Sequence, residues 1–423
     1  MSEWKKVKLG ELYEVHNGLS KGRQFFGTGF PFLTFSNVFN NWFLPEQLES
    51  LVQTTDKERE ACSIKAGDVF ITRTSETMDE LGMSSVALKD YPNATYNGFT
   101  KRLRPITDRV NPRYIGYYLR TPKFRGQFMA FSTMTTRASL ANNDLLNMEV
   151  ELPPMEIQHR IATILSRYDS LIENYQKQIK LLEEAAQRLY KEWFVDLHFP
   201  GHENTKIVNG VPEGWEKNAF GSVIDYEIGG GWGSDTKTTN EIIPAYVIRG
   251  TDMSTLDMGI WKELPYRFHQ ESNYRARQLM HNDIIFEVSG GSKNEGVAKT
   301  FLVQQELLDK LDNHVICASF CKLIRLKDSS IAYYIYDTLK EWRASGITAQ
   351  YDKRSASSIV NYRWKDFLSQ QEILIPNEIV LRDYIKKSEL IHSSITKKSS
   401  QIRLLTEARD RLLPKLMSGE IEV

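Results

Sequence analysis

Apolar residues recur at alternating steps of four and three through the middle of the chain, between Leu152 and Phe199. The recurring positions are Ile157, Ile161, Ile164, Tyr168, Leu171, Tyr175, Leu182, Ala185 and Leu189, with one seven-residue gap at Gln178. This spacing predicts a long helix whose single apolar stripe needs a partner helix. Pro153 and Pro154 exclude helix before it, and Pro200-Gly201 ends it.

A second segment with this spacing lies near the end of the chain, at residues 374–416. Its apolar positions are Ile391, Ile395, Ile402, Leu405, Leu412 and Leu416. The two segments also match residue by residue, since Leu152-Pro153-Pro154 resembles Leu374-Ile375-Pro376 and residues 179–182 resemble residues 402–405. We infer an internal duplication.

Shorter strand-like runs, bordered by Gly, Asn or Asp, precede each long helix. In the first half they lie at 31–38, 67–74, 84–90 and 98–106, before a helix at 112–119; in the second half they lie at 245–250, 282–290, 296–303 and 315–326, before a helix at 331–342. Each half is therefore predicted to be a mixed α/β globule that is followed by a long helix.

These patterns predict an α+β fold with two mixed α/β domains, two long helices and a pseudo-twofold internal repeat. We expect the helices to pair antiparallel as a coiled coil, because the chain must cross the second globule between them. The predicted domain bounds are 1–153 for the first globule, 154–199 for the central helix, 200–376 for the second globule and 377–423 for the C-terminal helix.

Composition fits a multidomain protein, because 423 residues with 41% apolar content can bury more than one core. The N-terminal stretch carries charges, and no run approaches 18 apolar residues, so we expect neither a signal peptide nor a membrane span. Three cysteines do not suggest a disulfide framework. We expect a cytoplasmic protein.

The formal net charge is zero, but basic residues cluster locally. Residues 101–137 contain nine Lys or Arg and one acid, and residues 343–365 contain five Lys or Arg and one acid. One basic stretch in each half predicts two separated contacts with nucleic-acid phosphates. The alternative is that both stretches are solvated faces of ordinary domains.

The catalytic motifs in the sequence are incomplete. Residues 111–114 resemble the adenine-binding loop of DNA methyltransferases but lack its second proline, and fit a helix start better. Residues 235–237 have a nuclease-like acid-x-Lys spacing without a preceding Pro-Asp. His314, Cys317 and Cys321 lack a fourth zinc ligand and alternate like a strand. We therefore predict no catalytic residue and no metal site.

Several motifs together resemble the specificity subunits of type I restriction-modification systems, over the whole chain. They are Leu152-Pro153-Pro154 followed by Glu156, Gln158, Ile161-Ala162 and Asp169; Phe199-Pro200-Gly201; Val211-Pro212 with Gly214-Trp215; and the ending from Leu412-Leu413-Pro414-Lys415-Leu416 to Ser418-Gly419-Glu420-Ile421. The resemblance implies two target-recognition domains, each reading one half of a bipartite, asymmetric site in double-stranded DNA, with the helices setting the spacing.

The resemblance also implies the partners. Two modification subunits would dock on this chain and bring S-adenosylmethionine for adenine-N6 methylation, and a restriction subunit would bring ATP- and Mg-dependent translocation and cleavage. This chain itself would hold no cofactor and perform no chemistry. Residues 377–380 depart from residues 155–158 of the first repeat, so the two docking surfaces need not be equivalent.

Candidate DNA-binding residues come from polar segments in equivalent places, because Arg, Lys, Asn and Gln are suited to reading base edges. From segments 132–144 and 348–361 the candidates are Arg137, Asn142, Lys353 and Arg354; from the loops after matched strands they are Thr72, Arg73, Ser75, Ser289, Ser292 and Lys293; and from the first basic stretch they are Lys101, Arg102 and Arg104.

The sequence leaves two other classes of function open. A self-contained nuclease or methyltransferase would bind a metal or S-adenosylmethionine as a purified single chain. A coiled-coil scaffold carrying two protein-binding domains would bind no duplex even with the modification subunit present.

Overall fold

A computed structural model describes residues 4–75, 81–131, 133–134, 138–258, 264–290, 296–312, 314–354 and 359–423. The chain divides into two compact units. The first comprises residues 1–170 and 406–423, and the second comprises residues 171–405. Across the described ranges, no helix has both the length and the apolar character that crossing a membrane requires.

In its described residues, the first unit combines short strands with short helices, the beginning of one long helix and the end of another. Its strands are β1 (Lys5–Lys8), β2 (Tyr13–Asn17), β3 (Phe26–Leu33), β4 (Leu51–Val52), β5 (Val69–Thr72), β6 (Thr74–Ser75), β7 (Ser84–Val86), β8 (Thr95–Tyr96), β9 (Thr100–Pro105), β10 (Thr133–Met134), β11 (Ala138–Ser139) and β12 (Glu149–Leu152). Its helices are α1 (Phe35–Asn40), α2 (Asp56–Ala61), α3 (Pro112–Tyr118), α4 (Pro122–Phe131), α5 (Asn142–Asn147) and the start of α6 (Met155–Tyr190).

An antiparallel sheet in the order β2-β9-β5-β7 supports this unit. A second sheet, β4-β3-β8, contains a parallel pair between β3 and β8; β1 pairs with β12; and β10-β11-β6 form a small third sheet. Val69, Ile71 and Leu103 of the main sheet pack with Tyr114 and Ile115 of α3 in the core.

Polar side chains join α3 to the start of α6. Asn111 caps α3, because its Oδ1 accepts the N–H groups of Arg113 and Tyr114 at 2.9 and 3.1 Å. Gln158 is buried, accepts the Asn111 N–H at 2.9 Å, and donates to the Arg109 and Pro153 carbonyls at 3.0 Å. This glutamine therefore satisfies backbone groups on both sides of the junction.

The second unit contains the remaining elements. Its strands are β13 (Ile207–Val208), β14 (Val211–Pro212), β15 (Glu216–Ala219), β16 (Ile224–Gly229), β17 (Ile243–Ile248), β18 (Tyr266–His269), β19 (Ile284–Glu287), β20 (Ser289–Gly290), β21 (Thr300–Leu302), β22 (Val315–Cys317), β23 (Cys321–Leu326), β24 (Asp352–Arg354), β25 (Val360–Tyr362) and β26 (Glu372–Ile375). Its helices are α7 (Gly250–Asp257), α8 (Glu271–Arg277), α9 (Gln305–Lys310), α10 (Ala332–Ala344), α11 (Trp364–Gln370) and most of α12 (Glu378–Met417).

The main sheet of the second unit has the order β16-β23-β19-β21 and is antiparallel. Beside it, β18-β17-β22 contains a parallel pair between β17 and β22; β15 pairs with β26; and β20-β25-β24 form a small sheet. Tyr334 and Leu339 of α10 pack with Ile284, Phe286 and Ile324 of the main sheet. The chain is thus a mixed α/β protein, as the patterns predict.

The apolar stripes of α6 and α12 contact each other within the second unit. Ile172 and Ile179 pack with Ile395 and Ile402, all four buried. Each buried isoleucine contributes roughly 1.5–3 kcal/mol relative to an exposed one. In the first unit, Ile161 and Leu165 of α6 share the core with Leu413 and Leu416 of α12, and Arg409 pairs with Asp169 at 2.7 Å.

Several strand predictions need correction. The run 31–38 is strand only to Leu33, because Thr34 and Asn37 form a reciprocal capping box that begins α1. The run 315–326 is two strands, β22 and β23, which belong to different sheets. The central helix continues past Tyr190 as a π-helical turn over Lys191–Val195.

Candidate nucleic-acid interface

In the second unit, the small sheet joins the loop after β19 to the predicted polar segment 348–361. Ser289 follows the main-sheet strand β19 and pairs with Asn361 of β25, while Lys353 of β24 pairs with the other side of Asn361. Ser289 Oγ donates to Asn361 Oδ1 at 2.9 Å. Lys353 and Asn361 are exposed. The sheet therefore presents hydroxyl, amide and ammonium groups together, which can bind phosphates and base edges.

The first unit has a small sheet in the corresponding place. Thr74 and Ser75 follow the main-sheet strand β5 and pair with Ser139 and Ala138. The Arg73 carbonyl accepts the Leu140 N–H at 3.1 Å. The strand-exit loop and the polar segment 132–144 thus lie side by side here as well.

Three candidate residues of the first unit lie together next to this sheet. Lys101 Nζ donates to Asn142 Oδ1. Burial lowers the pKa of Lys101, and the nearby positive charge of Arg73 lowers that pKa further, while Asp144 raises it.

In the second unit Lys322 pairs with Glu227 and lies 5.2 Å from the Trp364 ring centroid.

Other basic candidates of the first unit have partners inside the protein. Arg104 makes two hydrogen bonds to the buried Asp68 carboxylate, at 2.9 and 2.7 Å. Arg102 is buried and donates to the Ser63 carbonyl at 2.7 Å. Thr72 is buried, and its Oγ1 accepts the Met83 N–H at 2.9 Å. These contacts serve the fold, and we leave Thr72, Arg102 and Arg104 out of the proposed DNA surface.

Arg120 shows the same use of a basic residue. Its guanidinium donates to the carbonyls of Ser84, Val38, Phe39 and Asn41 at 2.7 to 3.1 Å. Burial lowers the pKa of Arg120 to about 10. Part of the basic stretch 101–137 therefore satisfies loop carbonyls, so its charge density overstates the positive surface available to DNA.

Some candidate DNA-binding residues fall wholly or partly outside the described residues. Arg137, Ser292 and Lys293 fall outside the described residues, and for Ser75 and Arg354 only the backbone is described. Asn361 was not among the predicted residues. Its position within the polar segment 348–361 was the available signal, and its pairing with both Ser289 and Lys353 identifies it.

The weak catalytic motifs have structural contacts. Asp235 pairs with Arg267. His314 Nδ1 lies 3.0 Å from the Pro244 carbonyl, and burial raises the pKa of the Cys317 thiol to about 12. Within the ranges that the structure describes, no group of three His, Cys, Asp or Glu side chains could hold a metal ion.

We expect the Arg104→Ala variant to lower the free energy of unfolding of the first unit by about 2–3 kcal/mol, because it leaves the Asp68 carboxylate buried without its cation. Partial exposure of Arg104 keeps the cost below that of a fully buried pair. Hydrogen exchange of the amides in the β2-β9-β5-β7 sheet would measure it. Exposed Arg109→Ala is the control and should change the free energy by less than about 0.5 kcal/mol; equal values for both variants would contradict the structural role.

Comparison with known proteins identifies the family. Residues 1–184 match the family model described as the type I restriction modification DNA specificity domain. Along its whole length the chain is 25% identical to the specificity subunit of the type I restriction enzyme MjaIX from Methanocaldococcus jannaschii, covering 94% of that relative. Residues 1–184 therefore carry a type I restriction modification DNA specificity domain, and the chain as a whole is similar to type I specificity subunits.

Two further similarities agree with this. The chain is 22% identical to the HindI specificity subunit of Haemophilus influenzae over the full length of both. Its fold is similar to the crystal structure of an S subunit from M. genitalium, with a TM-score of 0.54 and 13% identity over 98% of this chain and 96% of that one. At that identity, the structural likeness concerns the fold alone.

Proposed function

We propose that this subunit reads a bipartite, asymmetric site in double-stranded DNA and directs adenine-N6 methylation and restriction by partner subunits. The observation that carries the proposal is the small polar sheet in each unit, where a strand-exit loop meets a polar segment. Because the polar residues at the two sheets differ, the two half-sites should differ in sequence.

The proposed internal repeat would give a site with two halves. The main sheets have the same strand order. The strand that lies second in that order, β9 or β23, carries the same spacing of Phe, Lys and Arg in both units. The matched residues are Phe99, Lys101 and Arg104 in the first unit and Phe320, Lys322 and Arg325 in the second. Arg325 pairs with Asp283 at 2.8 and 2.7 Å, as Arg104 pairs with Asp68. A pseudo-twofold arrangement would match the symmetry of duplex DNA.

The long helices are the proposed spacer, paired antiparallel as a coiled coil between target-recognition domains at 1–153 and 200–376. The contacts of Ile172 and Ile179 with Ile395 and Ile402 support this pairing. Leu181 and Leu390 of the same helices are 64% and 65% exposed, which suits a surface that another subunit covers.

The proposed partners are two modification subunits, which bring S-adenosylmethionine, and restriction subunits, which bring ATP and Mg. In this proposal the specificity subunit is cytoplasmic, holds no cofactor and does no catalysis. Methylation mapping of a genome with and without the gene tests the function. Loss of one split adenine motif is expected, and an unchanged methylation pattern would refute the proposal.

Reversing charge at the two polar sheets should weaken DNA binding by about tenfold per site, because each change removes a phosphate-binding cation. The variants are Lys353→Glu in the small sheet of the second unit and Arg73→Glu at the half-buried position directly before the small sheet of the first. Fluorescence anisotropy of the assembled methyltransferase with a duplex containing its mapped site would measure affinity. The slope of affinity against salt should fall by about one in each variant.

Matched controls lie at the other end of each main sheet. Lys327 follows β23 and Arg109 follows β9 by a few residues, and both are exposed. Lys327→Glu and Arg109→Glu should bind DNA within about twofold of wild type. If the controls weaken binding as much as the sheet variants, the polar sheets are not the DNA surface.

A further inference from the structure

In both units an exposed phenylalanine precedes the strand that lies second in the order of the main sheet, which is β9 in the first unit and β23 in the second. Phe99 lies before β9 and is 56% exposed, and Phe320 lies before β23 and is 55% exposed. In each unit the next residue, Thr100 or Cys321, is buried. Single exposed apolar residues are common, but the same large ring at the same topological position in both units needs an explanation.

Hydrogen bonds hold the backbone at both positions. The Phe99 N–H donates to Asn97 Oδ1 at 2.6 Å, and its carbonyl accepts the Arg73 N–H at 3.0 Å. The Phe320 carbonyl accepts the N–H groups of Val288 and Ser289 at 2.9 and 3.2 Å. The backbone of each phenylalanine is therefore fixed beside the strand exit that leads into the small polar sheet.

The surroundings of both rings indicate the chemistry of the partner. The Phe99 carbonyl accepts the backbone N–H of Arg73, whose charge is close to Lys101. The Phe320 carbonyl accepts the backbone N–H of Ser289, whose hydroxyl contacts Asn361. An apolar ring beside cationic and hydrogen-bonding groups matches duplex DNA, whose charged backbone encloses apolar base faces. A ring that met a modification subunit instead would affect assembly, which the test below measures.

We propose that Phe99 and Phe320 are apolar wedges, each of which inserts against the base stack of one DNA half-site. This inference rests on the proposed function. Apolar side chains that enter a base step partly unstack it and bend the duplex. A partner enzyme that methylates a base must take that base out of the stack, and a wedge in the same half-site lowers that cost.

The test uses the specificity subunit assembled with its modification subunits and duplexes that carry 2-aminopurine at successive steps of each half-site. The wild-type complex should raise the fluorescence at one step in each half-site. Phe99→Ala should abolish the rise in one half-site only, and Phe320→Ala in the other only. Each variant should bind DNA roughly tenfold more weakly, and Phe99→Leu should retain most of the affinity because leucine can also act as a wedge.

Control variants remove exposed apolar side chains at the opposite ends of the same sheets. Ile106 follows β9 and is 58% exposed, and Met280 precedes β19 and is 50% exposed. Ile106→Ala and Met280→Ala should leave both affinity and fluorescence unchanged. Thermal unfolding should be unchanged in all four alanine variants, because none of the side chains is buried.

Three results would overturn the inference. Wild-type binding without any fluorescence rise would show that no base step is opened. Phenylalanine variants that bind DNA like wild type but fail to assemble with modification subunits would assign the rings to a protein interface. A wild-type complex that binds no duplex at all would refute the proposed function itself, and the wedges with it.

Discussion

Replacing Asp337 with alanine should lower the free energy of unfolding of the second unit by about 3–5 kcal/mol. Asp337 lies on α10 and is buried. Its carboxylate accepts hydrogen bonds from the Tyr384 and Ser388 hydroxyls at 2.7 and 2.6 Å and from His392 Nε2 at 2.8 Å. Alanine would leave three buried donors on α12 without an acceptor, and each unsatisfied group costs about 1–3 kcal/mol.

Hydrogen exchange of the α10 and α12 amides is the suitable measurement, because a chain with two units need not unfold in one step. Asp383→Ala is the control, since Asp383 lies on α12 beside Tyr384 but is exposed. It should change the exchange free energy by less than about 0.5 kcal/mol. The loss of exchange free energy in Asp337→Asn should fall between the losses in the two alanine variants, because an amide offers one acceptor oxygen in place of two. Equal protection in the Asp337 and Asp383 variants would show that this network does not hold α10 on α12.

The long helices could be predicted because their signals are local and repeated. An apolar stripe at alternating steps of four and three, with prolines before it, excludes other structures over about 40 residues. The short strands and helices lack such a repeated signal. Residues 31–38 look like a continuous apolar strand, and only the capping box between Thr34 and Asn37 turns the second half into helix.

The use of basic residues could not be predicted from sequence. A run of Lys and Arg has the same composition whether it faces phosphate or loop carbonyls. Arg120 and Arg102 are held inside the protein because carbonyls distant in the chain converge on them. Arg104 is held by Asp68, which precedes a neighbouring strand. These are tertiary contacts, which local charge counting does not detect.

The candidate surface was predictable in outline, because strand exits and polar segments occupy equivalent places in both halves. Their pairing in one small sheet depends on tertiary register, as does the position of Asn361 between Ser289 and Lys353. Phe99 and Phe320 could have been found from sequence, since the Phe-x-Lys-x-x-Arg spacing occurs in both halves. Their exposure was the missing fact, because phenylalanine at a strand start is usually buried.

Introducing a carboxylate into the helix pair should have an effect at least as large as the loss of Asp337. Ile179 is fully buried against Ile172, Ile395 and Ile402 within the second unit. Ile179→Asp would remove this apolar contact and bury a charge without a partner, so we expect a loss of about 4 kcal/mol or more. If the paired helices are the spacer between half-sites, methylation of the mapped site should be lost as well.

Leu181→Asp is the matched control, because it introduces the same group two residues further along α6 at a position that is 64% exposed. Helix protection should stay within about 0.5 kcal/mol of wild type. Hydrogen exchange of residues 172–182 and 391–405 measures the pairing, and methylation of the target duplex measures the function. Loss of methylation in Leu181→Asp with intact exchange protection would identify a modification-subunit contact on the outer face. Ile179→Asp with protection and methylation like wild type would show that the pairing of the two stripes does not hold the helices together.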